Sequence, residues 1–90
     1  MKIENCLVAI ADDEAMICYA LKSTIKSLNM HCVGEAMNGQ EAVALYTKEQ
    51  PDIMFLDINM PVKNGDEALK EIRTRFANAN IVMLTSVAET

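Results

Sequence analysis

Three acidic side chains close two apolar runs in this 90-residue chain, and their spacing is its most chemically informative feature. Asp12 and Asp13 follow Leu7-Val8-Ala9-Ile10-Ala11, and Asp57 follows Ile53-Met54-Phe55-Leu56. Apolar runs this short, bounded by polar residues, read as buried strands. If both lie parallel in one sheet, their carboxyl ends share an edge, where open α/β folds bind ligands. Asp12, Asp13 and Asp57 would then converge. At ~4 Å and an effective dielectric near 20, each like-charged pair costs about 4 kcal/mol. Such a cluster calls for a cation or for shifted pKa values. An all-oxygen donor set suits a hard divalent ion, Mg2+ first among them.

The elements that must position these acids alternate regularly. Strands are expected at Cys6 to Ala11, His31 to Ala36, Ile53 to Asp57 and Ile81 to Thr85. Helical spacing lies between them. Glu14 to Leu28 places Ile17, Leu21, Thr24 and Leu28 on one stripe, and Gln40 to Glu49 turns Ala42, Val43, Leu45 and Tyr46 toward a core. Asp66 to Phe76 repeats Leu69, Ile72 and Phe76, with Asp66 and Glu67 in the first turn, where acids favour the helix dipole. Asn29, Asn38-Gly39, Pro51 and Gly65 punctuate the chain as turns. Alternating strands and helices imply an α/β fold, a parallel sheet with helices on both faces.

Ninety residues make one domain, spanning 1–90, and a hydrophobic fraction of 51% is enough for a core. The net charge of −5 and the lack of a Lys/Arg cluster argue against direct nucleic-acid contact. The N-terminal apolar run is too short for a signal peptide or a membrane span, so a cytoplasmic location is expected. Cys6, Cys18 and Cys32 have no CxxC spacing and read as reduced, buried, small hydrophobes. His31 has no partner at metal-ligand spacing, and the seven methionines read as core fillers. Asp12 or Asp13 has a second use open to it, as N-cap of the helix that follows.

Taken in order, these pieces resemble a response-regulator receiver domain of two-component signalling. The resemblance rests on Asp12-Asp13 after the first strand, on Asp57 ending the third, and on the D-x-x-M-P-x-x-x-G run from Asp57 to Gly65. Leu84-Thr85-Ser86 at the end of the fourth strand completes it. It implies a flavodoxin-like doubly wound sheet of strand order 2-1-3-4. It implies Asp57 as the phosphoacceptor for a sensor histidine kinase or phosphotransfer protein. Asp12, Asp13, Asp57 and Asn59 would form the Mg2+ site, with Asp13 and Asp57 as direct side-chain ligands, Asn59 contributing its backbone carbonyl, and Asp12 orienting a metal-bound water. Thr85 would turn its hydroxyl to the phosphoryl oxygens. Pro61 would stiffen the loop holding Asn59, and Gly65 would supply a positive φ before the third helix.

The same resemblance implies a fifth strand and two further helices beyond Thr90, roughly thirty residues by ordinary element lengths. That strand would carry a lysine paired to the phosphoryl group. Lys63 does not match its position. The expectation is a fragment of a longer chain with an output domain, or a homodimer that pairs the apolar edge Ile81-Val82-Met83-Leu84.

Two other function classes share the fold. An aspartyl-nucleophile phosphatase would carry an acid two residues after Asp57, where this chain has Asn59. An interaction domain independent of phosphorylation would have no use for all three acids.

Overall fold

The structure, a computed structural model, describes residues 5–84. The seven elements are β1 (Leu7–Ala11), α1 (Ala15–Ser27), β2 (His31–Ala36), α2 (Gly39–Glu49), β3 (Ile53–Asp57), α3 (Gly65–Arg75) and β4 (Ile81–Leu84). They match the expected alternation to within about a residue at each end. Thr85, expected to close the fourth strand, lies outside the described residues.

The strands form one parallel sheet of order β2-β1-β3-β4. β1 is flanked on both sides, and from Val8 onward its residues are buried, which accounts for its uninterrupted apolar run. A register shift between Val8 and Ala9 lets Val33 bulge from β2. Successive strand residues point to opposite faces. Ala9, Ala11, Met54 and Leu56 therefore meet α2 and α3 through Ala42, Tyr46, Ala68 and Ile72 on one face. Val8 and Ile10 meet Cys18 and Ile25 of α1 on the other. Tyr46 and Phe76 join α2 to the end of α3, ring centroids 5.1 Å apart and tilted by 53°.

Several expectations need correction. Met16 is 84% and Met37 43% exposed, so not every methionine fills the core, and Cys32 is only half-buried. The buried side of α1 is Cys18 and Ile25 with Leu21 half-buried, while Thr24 is exposed and Ile17 and Leu28 are 40% and 45% exposed. α1 is apolar around most of its first turns, and contact with Val8 and Ile10 selects the stripe one residue on. Neither Asp12 nor Asp13 is the N-cap of α1. That position is Glu14, whose side chain makes no capping bond. Gly65 has no positive φ; among the described residues every positive φ belongs to a non-glycine. Gly65 is required for closeness instead, because a Cβ there would overlap the Asp57 carbonyl oxygen.

Candidate functional site

The register of β1 on β3 sets Ala11 beside Leu56, so the next residues, Asp12 and Asp57, come side by side at the carboxyl edge of the sheet. Asp12 is held by its backbone and its side chain. Its N–H donates to the Ala36 carbonyl (3.0 Å), its carbonyl accepts from the Cys18 thiol (3.3 Å), and its Oδ1 accepts the Glu14 amide (2.8 Å). This last bond is an Asx turn, a local use of a short acid that starts the chain toward α1. Asp57 pairs with Leu84 of β4, and its carboxylate accepts the Asn59 amide at 3.1 Å.

Carboxylate oxygens of Asp12, Asp13 and Asp57 all lie within 4.8 Å of one another. Asp12 and Asp57 are only 4% and 7% exposed, whereas Asp13 faces solvent. Burial pushes the Asp57 carboxyl above its usual range, and repulsion from Asp12, Asp13 and Glu14 adds to the shift; the Asn59 amide opposes it. Glu14 is a fourth acid in electrostatic reach of Asp57 that the sequence reading passed over. Its place directly after Asp12-Asp13 was the available signal. The Cys18 thiol beneath Asp12 was also missed. Burial, and then the nearby Glu35 carboxylate, raise its pKa to about 11, so it stays a neutral donor. Glu35 in turn pairs with Lys22 at 2.6 Å.

The loop from Ile58 to Asn64 forms one wall. The Gly65 amide returns to the Ile58 carbonyl (2.8 Å), closing the loop at its base, and Met60 anchors it in the core at 8% exposure. At the apex the Lys63 amide donates to the Pro61 carbonyl (2.8 Å) across Val62, which has φ 69°. Gly39, the first residue of α2, lies so close that a Cβ on it would overlap the Lys63 carbonyl oxygen. The Lys63 ammonium pairs with Glu71 on α3, away from the acids.

The expected site residues therefore divide. Asp12, Asp13 and Asp57 meet, Asn59 sits against Asp57, and Pro61 and Gly65 shape the adjoining loop. Thr85 is outside the described residues. The donor set fits a hard cation: three carboxylates, oxygen only, two of them buried together.

Residues 8–90 match the response regulator receiver domain family. The chain belongs to that family. Among curated receiver relatives, the chemotaxis protein CheY of Thermotoga maritima is 40% identical over 82 residues, which are 91% of this chain and 68% of that protein. Protein CcdB of Bacillus subtilis is 35% identical over 82 residues, with the same coverage. The CheY of the Borrelia burgdorferi CheX–CheY–BeF3–Mg2+ complex superposes with a TM-score of 0.88 at 29% identity, over 93% of this chain and 64% of that one. The response regulator domain of Thermotoga maritima CheB gives 0.82 at 38% identity, over 93% and 63%. The chain thus spans about two thirds of the length of each of these four proteins. Receiver domains are signalling modules of two-component systems. Among the described residues, no helix is long and apolar enough to cross a membrane.

Proposed function

We propose that this receiver domain takes a phosphoryl group onto Asp57 from a phosphohistidine of a sensor kinase or phosphotransfer protein. The observation carrying this reading is the meeting of Asp12, Asp13 and Asp57 at the carboxyl ends of β1 and β3, with the Asp57 carboxylate buried and presented beside the Asn59 amide. In the transfer, an Asp57 oxygen bonds to phosphorus as the phosphorus–nitrogen bond breaks. The imidazole leaves with that electron pair and stays protonated on one nitrogen. A carboxylate is a modest nucleophile, so positioning and charge neutralisation supply most of the catalysis.

Asp12, Asp13, Asp57 and the Asn59 backbone would hold Mg2+, which supplies the charge neutralisation that three converging carboxylates otherwise lack. The complex of the Borrelia CheY with BeF3 and Mg2+ supports this choice of ion. Asp13, exposed at the rim, would meet a hydrated ion first. Asp12, fixed by three hydrogen bonds, would orient a bound water. Thr85 follows Leu84, the β4 residue paired with Asp57, and its hydroxyl is the proposed reporter of the added phosphoryl charge. The signal would then pass to an output domain of a longer chain or to a separate protein.

Intact-mass measurement after incubation with acetyl phosphate and Mg2+ tests the assignment. One acid-labile phosphoryl is expected on the natural chain and none on Asp57→Asn. Equal incorporation in the variant would overturn the choice of Asp57.

A further inference from the structure

We propose that Val62 is a positioning residue of the acidic site, held in a strained turn by a clamp at Lys63, and that release of the clamp lets Asn59 leave Asp57. The Mg2+ part of the test rests on the metal reading above; the turn itself does not.

A β-branched residue with positive φ is an outlier, because its branched Cβ crowds the following carbonyl. At Val62 nothing intrinsic offsets this. Its side chain is 78% exposed and gains little by burial. Strained backbone persists only where its surroundings over-determine it. Here the surroundings are specific. The Lys63 ammonium is paired to Glu71, the Lys63 carbonyl lies against the start of α2 at Gly39, and the loop base is tied from the Gly65 amide to Ile58. Three residues before Val62, Asn59 donates to the Asp57 carboxylate. If Val62 relaxes to negative φ, the Pro61–Lys63 reversal opens and Lys63 swings from Glu71. The short tether from Pro61 to Asn59 then shifts. The loop therefore has a site-assembled state, seen here, and a relaxed competitor. A ligand using Asn59 and Asp57 together binds only the first, so its apparent affinity scales with that state's population.

Lys63→Met removes the clamp while keeping the aliphatic stem. Val62→Asn relieves the strain, because asparagine tolerates the left-handed region without glycine's looseness. Mg2+ titration of the natural chain and the two variants, singly and combined, gives the first readout. Lys63→Met should weaken Mg2+ binding by about three- to tenfold, the population change that loss of one strained state's support produces. Val62→Asn alone should leave affinity within about twofold, since the assembled state already dominates. The double variant should recover most of the loss. Charge alone predicts no weakening for Lys63→Met, because removing the ammonium leaves the Glu71 carboxylate unpaired and makes the surroundings more negative for a cation.

Amide hydrogen exchange at Asn59 and Gly65 gives the second readout, and it needs no metal. Exchange should accelerate in Lys63→Met and return toward the natural rate in the double variant. Unchanged or tighter Mg2+ binding in Lys63→Met with unchanged exchange would overturn the proposal, and so would failure of Val62→Asn to rescue it. If the natural chain binds no Mg2+ at all, the metal reading falls and the exchange rates alone decide the turn.

Discussion

Carboxylate oxygens of Asp12 and Asp57 come within 4.8 Å of each other although both residues are almost wholly buried. The fold therefore holds two like charges together out of water, with Asp13 close by. Without a cation the arrangement opposes folding, and its consequences are measurable.

The first concerns pH. Burial and acid repulsion raise the Asp57 pKa in the folded chain. The folded state then binds its proton more readily than the unfolded one, whose carboxyl titrates near the ordinary value of about 3.9. In metal-free buffer, the Asp57 contribution to stability should rise as pH falls through the raised folded pKa and level off near the unfolded value, while the lysine-paired Glu35 and Glu71 contribute in the opposite sense. This is the reverse of a salt-bridged aspartate. Asp57→Asn removes the charge and keeps an oxygen to accept from Asn59. It should raise Tm at pH 7 by several degrees, taking about 4–8 °C per kcal/mol for a domain this size. The gain should vanish near pH 4. A variant less stable than the natural chain at pH 7 would contradict the repulsion argument.

Mg2+ should reverse that cost. Ligands that bind only the folded state stabilise it in proportion to the logarithm of their concentration. Tm should climb with added Mg2+ and fall back when the ion is chelated. Asp13→Ala should weaken binding roughly tenfold, about 1.4 kcal/mol. Asp12→Ala should weaken it less, because one Asp12 oxygen is already engaged by the Glu14 amide. Calorimetric titration showing unchanged affinity in both variants would refute a shared site. Binding should also fade as pH drops and the carboxylates protonate.

The glycines make a graded prediction. A methyl group at Gly65 or Gly39 would meet backbone, the Asp57 carbonyl in one case and the Lys63 carbonyl in the other. At Gly34 it would meet only the mobile end of Leu45, at 2.8 Å. Gly65→Ala and Gly39→Ala should each cost roughly 3 kcal/mol or more, at the upper end of point-mutation effects. Gly34→Ala should cost about 1 kcal/mol or less, since a side chain can shift. Denaturant melts of the three variants would establish the order.

Capping separates the three helices. Asn38 and Asn64 accept the Glu41 and Glu67 amides, and Asn64 with Glu67 forms a reciprocal capping box. Asn38→Ala and Asn64→Ala should each cost about 1 kcal/mol. Glu14→Ala should be close to neutral, because the Glu14 side chain caps nothing. A large loss at Glu14 would show that its role lies elsewhere.

These residues also show how far the sequence could be read. The strands were legible because the apolar runs of β1 and β3 are each closed by an acid, Asp12 after β1 and Asp57 at the end of β3; a charge closing such a run needs a purpose. The convergence of Asp12, Asp13 and Asp57 followed from parallel pairing alone. The face of α1 did not follow. Met16, Ile17, Cys18, Tyr19 and Leu21 are all apolar, so periodicity cannot choose between Ile17 and Cys18, and only contact with Val8 and Ile10 decides. Gly65 was placed correctly for a wrong reason, since a glycine letter does not tell a positive φ from a close approach. Val62 was invisible, because nothing in its residue type announces a left-handed turn. The pairing of Lys63 with Glu71 depends on how α3 docks, which lies beyond local pattern.

The strand order has a consequence for how the chain comes into being. β1 is made first, yet it lies between β2 and β3. The amide of Leu7 must wait for the Asp52 carboxylate, 45 positions later. During synthesis the wholly apolar strand β1 emerges with one side unpaired until β3 leaves the ribosome. Pairing across so long a span is slow to nucleate. The acidic site cannot exist in a half-made chain, because Asp57 belongs to the strand that closes the gap. The meeting of Asp12, Asp13 and Asp57 therefore arises only once β3 has paired with β1, and a shorter nascent chain lacks it.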